Sequence, residues 1–224
     1  MTILYLGNKN YSSWSLRAWL ATRLSGIPFE ERLVQLTGLY NPDWRRFSPT
    51  ARVPVLHDEG CIVWDSLAIA EYLAERHPGM WPADARARAW ARCVAAEMHS
   101  GMSALRNEMT MCIRERVDVR PWSADLAANI DRVTEIWNEG RQAHGAGGAF
   151  LCGAFSLADV FYAPVAFRFQ TYGVAPAGAA GAYLAALLAH PWVAEWQRDA
   201  LAETVVVEVD EPRVLYRDKI ARAR

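Results

Sequence analysis

With 224 residues, 52% of them hydrophobic and 22% charged, the chain has the composition of a globular protein that can bury a core without disulfides or metals. Its 24 basic residues are matched by 25 acidic ones. That balance leaves no excess charge for a polyanion, so nucleic acid is not an expected partner. No run of about 18 apolar residues offers a membrane span, and the short apolar stretch after Met1 lacks the basic start and cleavage site of a signal peptide. Cys61, Cys93, Cys112 and Cys152 form neither a CxxC pair nor a zinc pattern with the five histidines. They read as reduced thiols of a cytoplasmic protein, and no metal is expected.

Thr2 to Leu6 is a β-branched and aromatic run that ends at Gly7 and reads as a first strand. Asn-Tyr-Ser-Ser-Trp-Ser at 10–15 is a cluster of cap formers. Leu16, Trp19, Leu20, Leu24 and Ile27 follow at helical spacing, which predicts a helix from about Ser15 that Gly26 and Pro28 stop. Glu31 to Leu36 alternates as a second strand would, and the polar stretch from Gly38 to Arg52 reads as a loop with one helical turn. Val53 to His57 and Cys61 to Trp64 flank Asp58-Glu59-Gly60 as a hairpin, with Pro54 at a strand start where no ladder N–H is required. Asp65-Ser66 then caps a helix carrying Ile69 and Leu73 as far as about His77. The order is β-α-β, loop, β-hairpin, α.

After Pro78-Gly79 strand signals almost vanish, which divides the chain into residues 1–78, a linker at 79–88 and a helical part at 89–224. Ala83 to Val117 reads as one long helical segment, with His99, Met102 and Arg106 three and four residues apart. Leu126, Ile130, Val133 and Trp137 mark another helix, and Gly145 to Gly148 break the chain. Ser156-Leu-Ala-Asp159 has the form of a capping box with Asp in place of the usual Glu or Gln. Residues 179–188 and 191–201 supply two shorter helices, and Thr204 to Tyr216 alternates as an extended strap.

Four segments occur in a telling order: YSSWSLRAWL at 11–20, RVPVL at 52–56, DSLAIAEYL at 65–73 and FSLADVFYAPV at 155–165. Together they resemble the cytosolic glutathione transferases, and the first is similar to the serine-type segment of the zeta class. The resemblance implies an α/β thioredoxin-like N-terminal domain plus an all-α C-terminal helical domain. It further implies glutathione as co-substrate, a small hydrophobic electrophile as acceptor, a homodimer and a role in detoxification.

Residue by residue, the resemblance favours Ser12 as activator of the glutathione thiol with Ser13 as rival, while Ser15 caps the helix. Trp14, Arg52, Val53, Pro54 (in a cis bond), Asp65 and Ser66 are implied in holding glutathione. His99, Met102, Arg106 and Arg168 are placed towards the electrophile, although a lone His on such a helix is more often a core or interface residue and a salt bridge for Arg168 is equally open. Asp159 is a structural cap. The chemistry is within reach: lowering a thiol pKa from about 8.5 by about two units takes roughly 2.7 kcal/mol. One hydroxyl hydrogen bond to a charged acceptor contributes about 1.5–3 kcal/mol, and a helix N-terminus roughly 0.3–1.

Two departures from the zeta pattern stand out. Trp14 occupies the place of the cysteine that usually follows the serine pair, and Thr171 that of the arginine used for a substrate carboxylate. Maleylacetoacetate isomerase activity is therefore not a direct expectation, unless Arg168, one turn away, takes over. A glutathione-dependent isomerase or lyase, and a non-catalytic binding module of the same fold, are the alternatives.

Overall fold

The computed structural model describes residues 1–36 and 41–222. Residues 37–40, where the polar loop is expected to begin, lie outside that set. Strand β1 (Ile3–Leu6) pairs in parallel with β2 (Glu30–Leu33), shorter than the expected Glu31 to Leu36, and the two are joined through helix α1 (Ser13–Ser25). A short 3-10 turn at Pro42–Arg46 precedes β3 (Val55–Asp58), which runs antiparallel to β1, and β4 (Cys61–Trp64) completes the order β2-β1-β3-β4. The hairpin turns on Glu59 and Gly60, both left-handed at φ 47° and 85°, the pair of conformations that a two-residue turn matching the strand twist demands. Helix α2 (Ser66–Arg76) packs beside α1 over Leu4, Leu6 and Leu56, all without exposure.

The remainder is helical: α3 (Ala85–Ser100), α4 (Ser103–Glu108), α5 (Ala124–Ala143), α6 (Leu157–Tyr172), α7 (Gly178–Ala189), α8 (Pro191–Ala202), α9 (Pro212–Leu215) and α10 (Arg217–Arg222). The long helix expected over Ala83 to Val117 is not continuous. It stops at Ser100, Met102 takes a left-handed φ of 54°, and α4 restarts for six residues. A β-carbon at Gly101 would stand 2.7 Å from the Glu97 carbonyl oxygen, so only glycine lets the chain leave at that angle. Beyond α4, which the Met109 N–H closes on the Leu105 carbonyl at 3.0 Å, Met111 and Ile113 are buried in the core outside any helix, because burial rather than helical period governs that stretch. His99 and Arg106 therefore belong to different helices.

Helix α6 is the centre of the molecule, buried on every side from Leu157 to Phe169. Its start is fixed by the fully buried Asp159, whose carboxylate accepts from Leu151 N (3.0 Å), Ser156 N (2.8 Å), Ser156 Oγ (3.1 Å) and the Tyr183 hydroxyl (3.0 Å). Burial pushes this carboxyl up to about 6 against those four donors, which favour its ionised form. The expected strap is extended only to Val207 and then turns, as a 3-10 segment at Glu208–Asp210 and α9 behind Pro212. No helix among the described residues is long and apolar enough to cross a membrane. Asp159→Ala leaves buried donors unmet and is expected to lower the unfolding free energy by about 3 kcal/mol, read by urea denaturation.

Candidate functional site

The loop between β1 and α1 is held by the helical part of the chain. Glu203 accepts from Lys9 N (2.6 Å) and Asn10 N (3.0 Å), and the Trp196 indole donates to the Lys9 carbonyl at 2.9 Å. Asn10 in turn accepts from Ile113 N (3.3 Å) and, through its side chain, from Arg114 N (3.0 Å). The Lys9 ammonium lies between the Trp19 and Trp196 rings and pairs with Glu31 (2.9 Å) and Asp199 (2.8 Å). Burial alone would lower its pKa, but the bonds to Asp199 and Glu31 outweigh that and raise it.

That loop delivers three serines with different duties. Ser12, not Ser15, caps α1: its Oγ accepts from Ser15 N at 3.3 Å and its hydroxyl donates to Ser15 Oγ at 2.8 Å. Ser15 Oγ also accepts from Gly7 N at 2.9 Å, tying the helix start back to β1. Helix α1 consequently begins two residues earlier than expected, at Ser13. The Ser13 Oγ accepts from Arg168 Nη2 at 3.2 Å, which leaves its own proton available to a further acceptor.

Two cavities meet at Trp14. The larger, about 520 Å³, is bounded by Trp14, Arg52, Val53, the cis-bonded Pro54, Asp65 and Ser66, together with Thr50 and Trp64. Asp65 has a φ of 72° and accepts from Leu67 N at 2.8 Å and Ala68 N at 3.4 Å, opening α2 towards this cavity. The Ser66 hydroxyl is buried there with no hydrogen-bond partner among the described residues, so the wall fits a polar ligand. The smaller cavity, about 300 Å³, is bounded by Ser12, Ser13 and Trp14 on one side and by Arg106, Thr110, Arg168 and Asp210 on the other.

Arg106 and Arg168 thus come together beside the serines, whereas His99 and Met102 do not. His99 packs edge-on to Trp14 at 5.3 Å with its Nε2 3.5 Å from Asp65 Oδ2, and burial lowers its pKa, assisted by Arg17 and Arg106 and opposed by Asp65. Met102 is buried at the helix break. Arg168 gives its remaining hydrogen bonds to the carbonyls of Met109 (2.6 Å) and Pro164 (3.4 Å) rather than to a carboxylate. Its guanidinium is pulled down to about 10 by burial, and Arg106 adds to the shift. Thr171 bonds the Cys112 carbonyl at 2.9 Å and takes no part in either cavity. Trp64 directly precedes the DSLAIAEYL segment and Thr50 lies two residues before RVPVL, while Thr110 and Asp210 carry no signal in the sequence.

Residues 11–76 match the family described as glutathione S-transferase, N-terminal domain. A probable maleylacetoacetate isomerase of Caenorhabditis elegans is 33% identical over 108 residues, 47% of this chain and 50% of that protein. The chain thus spans about half the length of that relative. The maleylacetoacetate isomerase of Rattus norvegicus is 27% identical over 170 residues, 72% of this chain and 75% of that one. Residues 11–76 thus carry the signature of a glutathione S-transferase N-terminal domain. A Burkholderia glutathione transferase homolog with bound glutathione has the same fold, with a TM-score of 0.66, 23% identity and coverage of 90% of this chain and 99% of that one. The division of duties between the serines has a direct consequence: Ser12→Ala is expected to lower stability by about 1 kcal/mol through loss of the α1 cap, measured by thermal unfolding.

Proposed function

We propose that this chain is a glutathione-dependent enzyme in which Ser13 hydrogen-bonds the glutathione sulfur and the cavity beside it takes a small electrophile bearing a carboxylate. The observation that carries the reading is the 3.2 Å bond from Arg168 Nη2 to Ser13 Oγ at the wall of the smaller cavity. A hydroxyl whose oxygen already accepts from a guanidinium is a better donor to an anion, and such a charge-assisted bond contributes about 1.5–3 kcal/mol. The Ser12 proton is committed to Ser15, which ranks Ser12 second. Residues 1–78 would hold glutathione and residues 89–224 would supply the acceptor pocket, with the protein cytoplasmic and dimeric. The exposed Ile62 and Trp64 on β4 suit a second copy.

Arg106 and Arg168 outnumber Asp210 among the charged groups bounding the smaller cavity, so its walls favour an acid over the purely hydrophobic acceptor that the resemblance implied. This also keeps the isomerase alternative in view, since the nematode and rat relatives carry that name. In either reaction the sulfur adds to an electron-poor carbon, and the two differ in whether it stays attached to the product.

Isothermal titration with glutathione tests the first half of the reading: a binding module without ligand gives no heat. For the second half, Ser13→Ala is expected to lower kcat/KM with glutathione by about tenfold or more, with Ser12→Ala losing less. A short unsaturated acid is expected to turn over with a lower KM than its methyl ester, and Arg168→Gln to remove that preference. Equal KM values for acid and ester would refute the carboxylate assignment.

A further inference from the structure

Arg17 stands one turn along α1 from Ser13 and borders neither cavity. The residue is 1% exposed, and among the described residues its Nε, Nη1 and Nη2 all lack a hydrogen-bond partner. Among the described residues, two aromatic faces hold the guanidinium, that of Trp14 at 4.7 Å and that of Phe161 at 5.4 Å. Cation–π contact compensates only part of the cost of taking such a charge out of water.

The charged surroundings add to that cost. Arg168 on α6 and Arg106 on α4 repel the guanidinium, whereas Asp65 at the start of α2 and Tyr162 on α6 favour its charge. Asp65 is not free to pair with it, because its carboxylate serves the N–H groups of α2 and the His99 ring. His99 on α3 is itself held towards its neutral form by burial and supplies no counter-charge. Burial and these neighbours bring the Arg17 pKa down to about 9, so the group remains charged at neutral pH. A fold keeps an uncompensated buried charge at the expense of its own stability, and such groups occur where a field is needed.

The position of Trp14 indicates where that field acts. Its ring covers Arg17, and the same residue bounds both cavities and stands with Ser13 at the wall of the smaller one. We infer that Arg17 is the fixed charge that keeps the glutathione sulfur ionised beside Ser13, acting through space rather than by contact, and that it is unpaired because a carboxylate partner would cancel its field. The inference rests on the proposed use of glutathione. In the step it promotes, the S–H bond breaks, the proton leaves to bulk water and the electron pair stays on sulfur.

The test pairs Arg17→Met, which removes the charge, with Arg17→Lys, which removes the guanidinium but keeps the charge. The pKa of bound glutathione is read from the ultraviolet absorbance of its thiolate as pH is varied, and thermal unfolding is recorded in parallel. In the unaltered protein the bound thiol is expected well below its free value of about 8.5. Arg17→Met is expected to raise that pKa by about one unit, a roughly tenfold loss of thiolate at neutral pH, while raising the melting temperature. Arg17→Lys is expected to leave the thiol pKa within a few tenths of a unit, as the charge is retained. An unchanged thiol pKa in a folded, glutathione-binding Arg17→Met protein overturns the inference alone. So does an equal shift in both variants, or a lower melting temperature in Arg17→Met, either of which makes the guanidinium a structural staple. Absence of glutathione binding by the unaltered protein overturns the proposed function as well.

Discussion

The site depends on the grip that the helical half exerts on the β1–α1 loop. A loop of six polar and small residues between a strand and a helix has backbone groups with no partners of its own and would ordinarily turn them to water. Here Glu203, Trp196, Ile113 and Arg114 take up those groups, and the Lys9 ammonium is closed between two indoles and two carboxylates. With the loop immobilised, Ser12 can cap α1, Ser15 can reach back to Gly7, and Ser13 is left facing Arg168. The serines are thus positioned by residues up to 194 places away in the chain.

This explains which parts of the molecule are legible in one dimension. The strand, hairpin and helix order follows from local patterns, and Val53, Pro54, Asp65 and Ser66 gather around one cavity because each belongs to a short motif at an element boundary. The serine cluster at 12–15 reads plainly as a helix start. Which serine caps the helix does not, since that is decided by the Gly7 N–H across the loop. The spacing of His99, Met102 and Arg106 is helical in the sequence, yet the chain breaks between them. Nothing local announces that the core will claim Met109 to Ile113 and pull the backbone off its axis. Arg168 is conspicuous as a cation in an apolar helix, but its partner, Ser13, is 155 residues away. The partner of a buried group is a tertiary fact.

Three arginines, Arg17, Arg106 and Arg168, converge where the two halves of the chain meet, in a region otherwise packed with aromatic and aliphatic side chains. Each lies below its ordinary pKa, with burial as the first cause. Carbonyl oxygens relieve Arg106 and Arg168 in part, leaving Arg17 with the least compensation of the three. An interior that needed only to be stable would place methionine or leucine at such positions. Three like charges converging in so apolar a region give the junction a positive field.

The contacts that complete the β1–α1 loop run to residues 196–203, and Tyr11 is held by Glu211, 200 positions along the chain. During synthesis the strand, the serines and the motif at 52–73 leave the ribosome long before any of those residues exist. The nascent N-terminal half can form its sheet, but the loop stays ungripped until α8 and the segment behind it have emerged. Assembly of the serine site is therefore among the last events of folding. A chain interrupted before α8 would carry every serine and still lack the means to aim them.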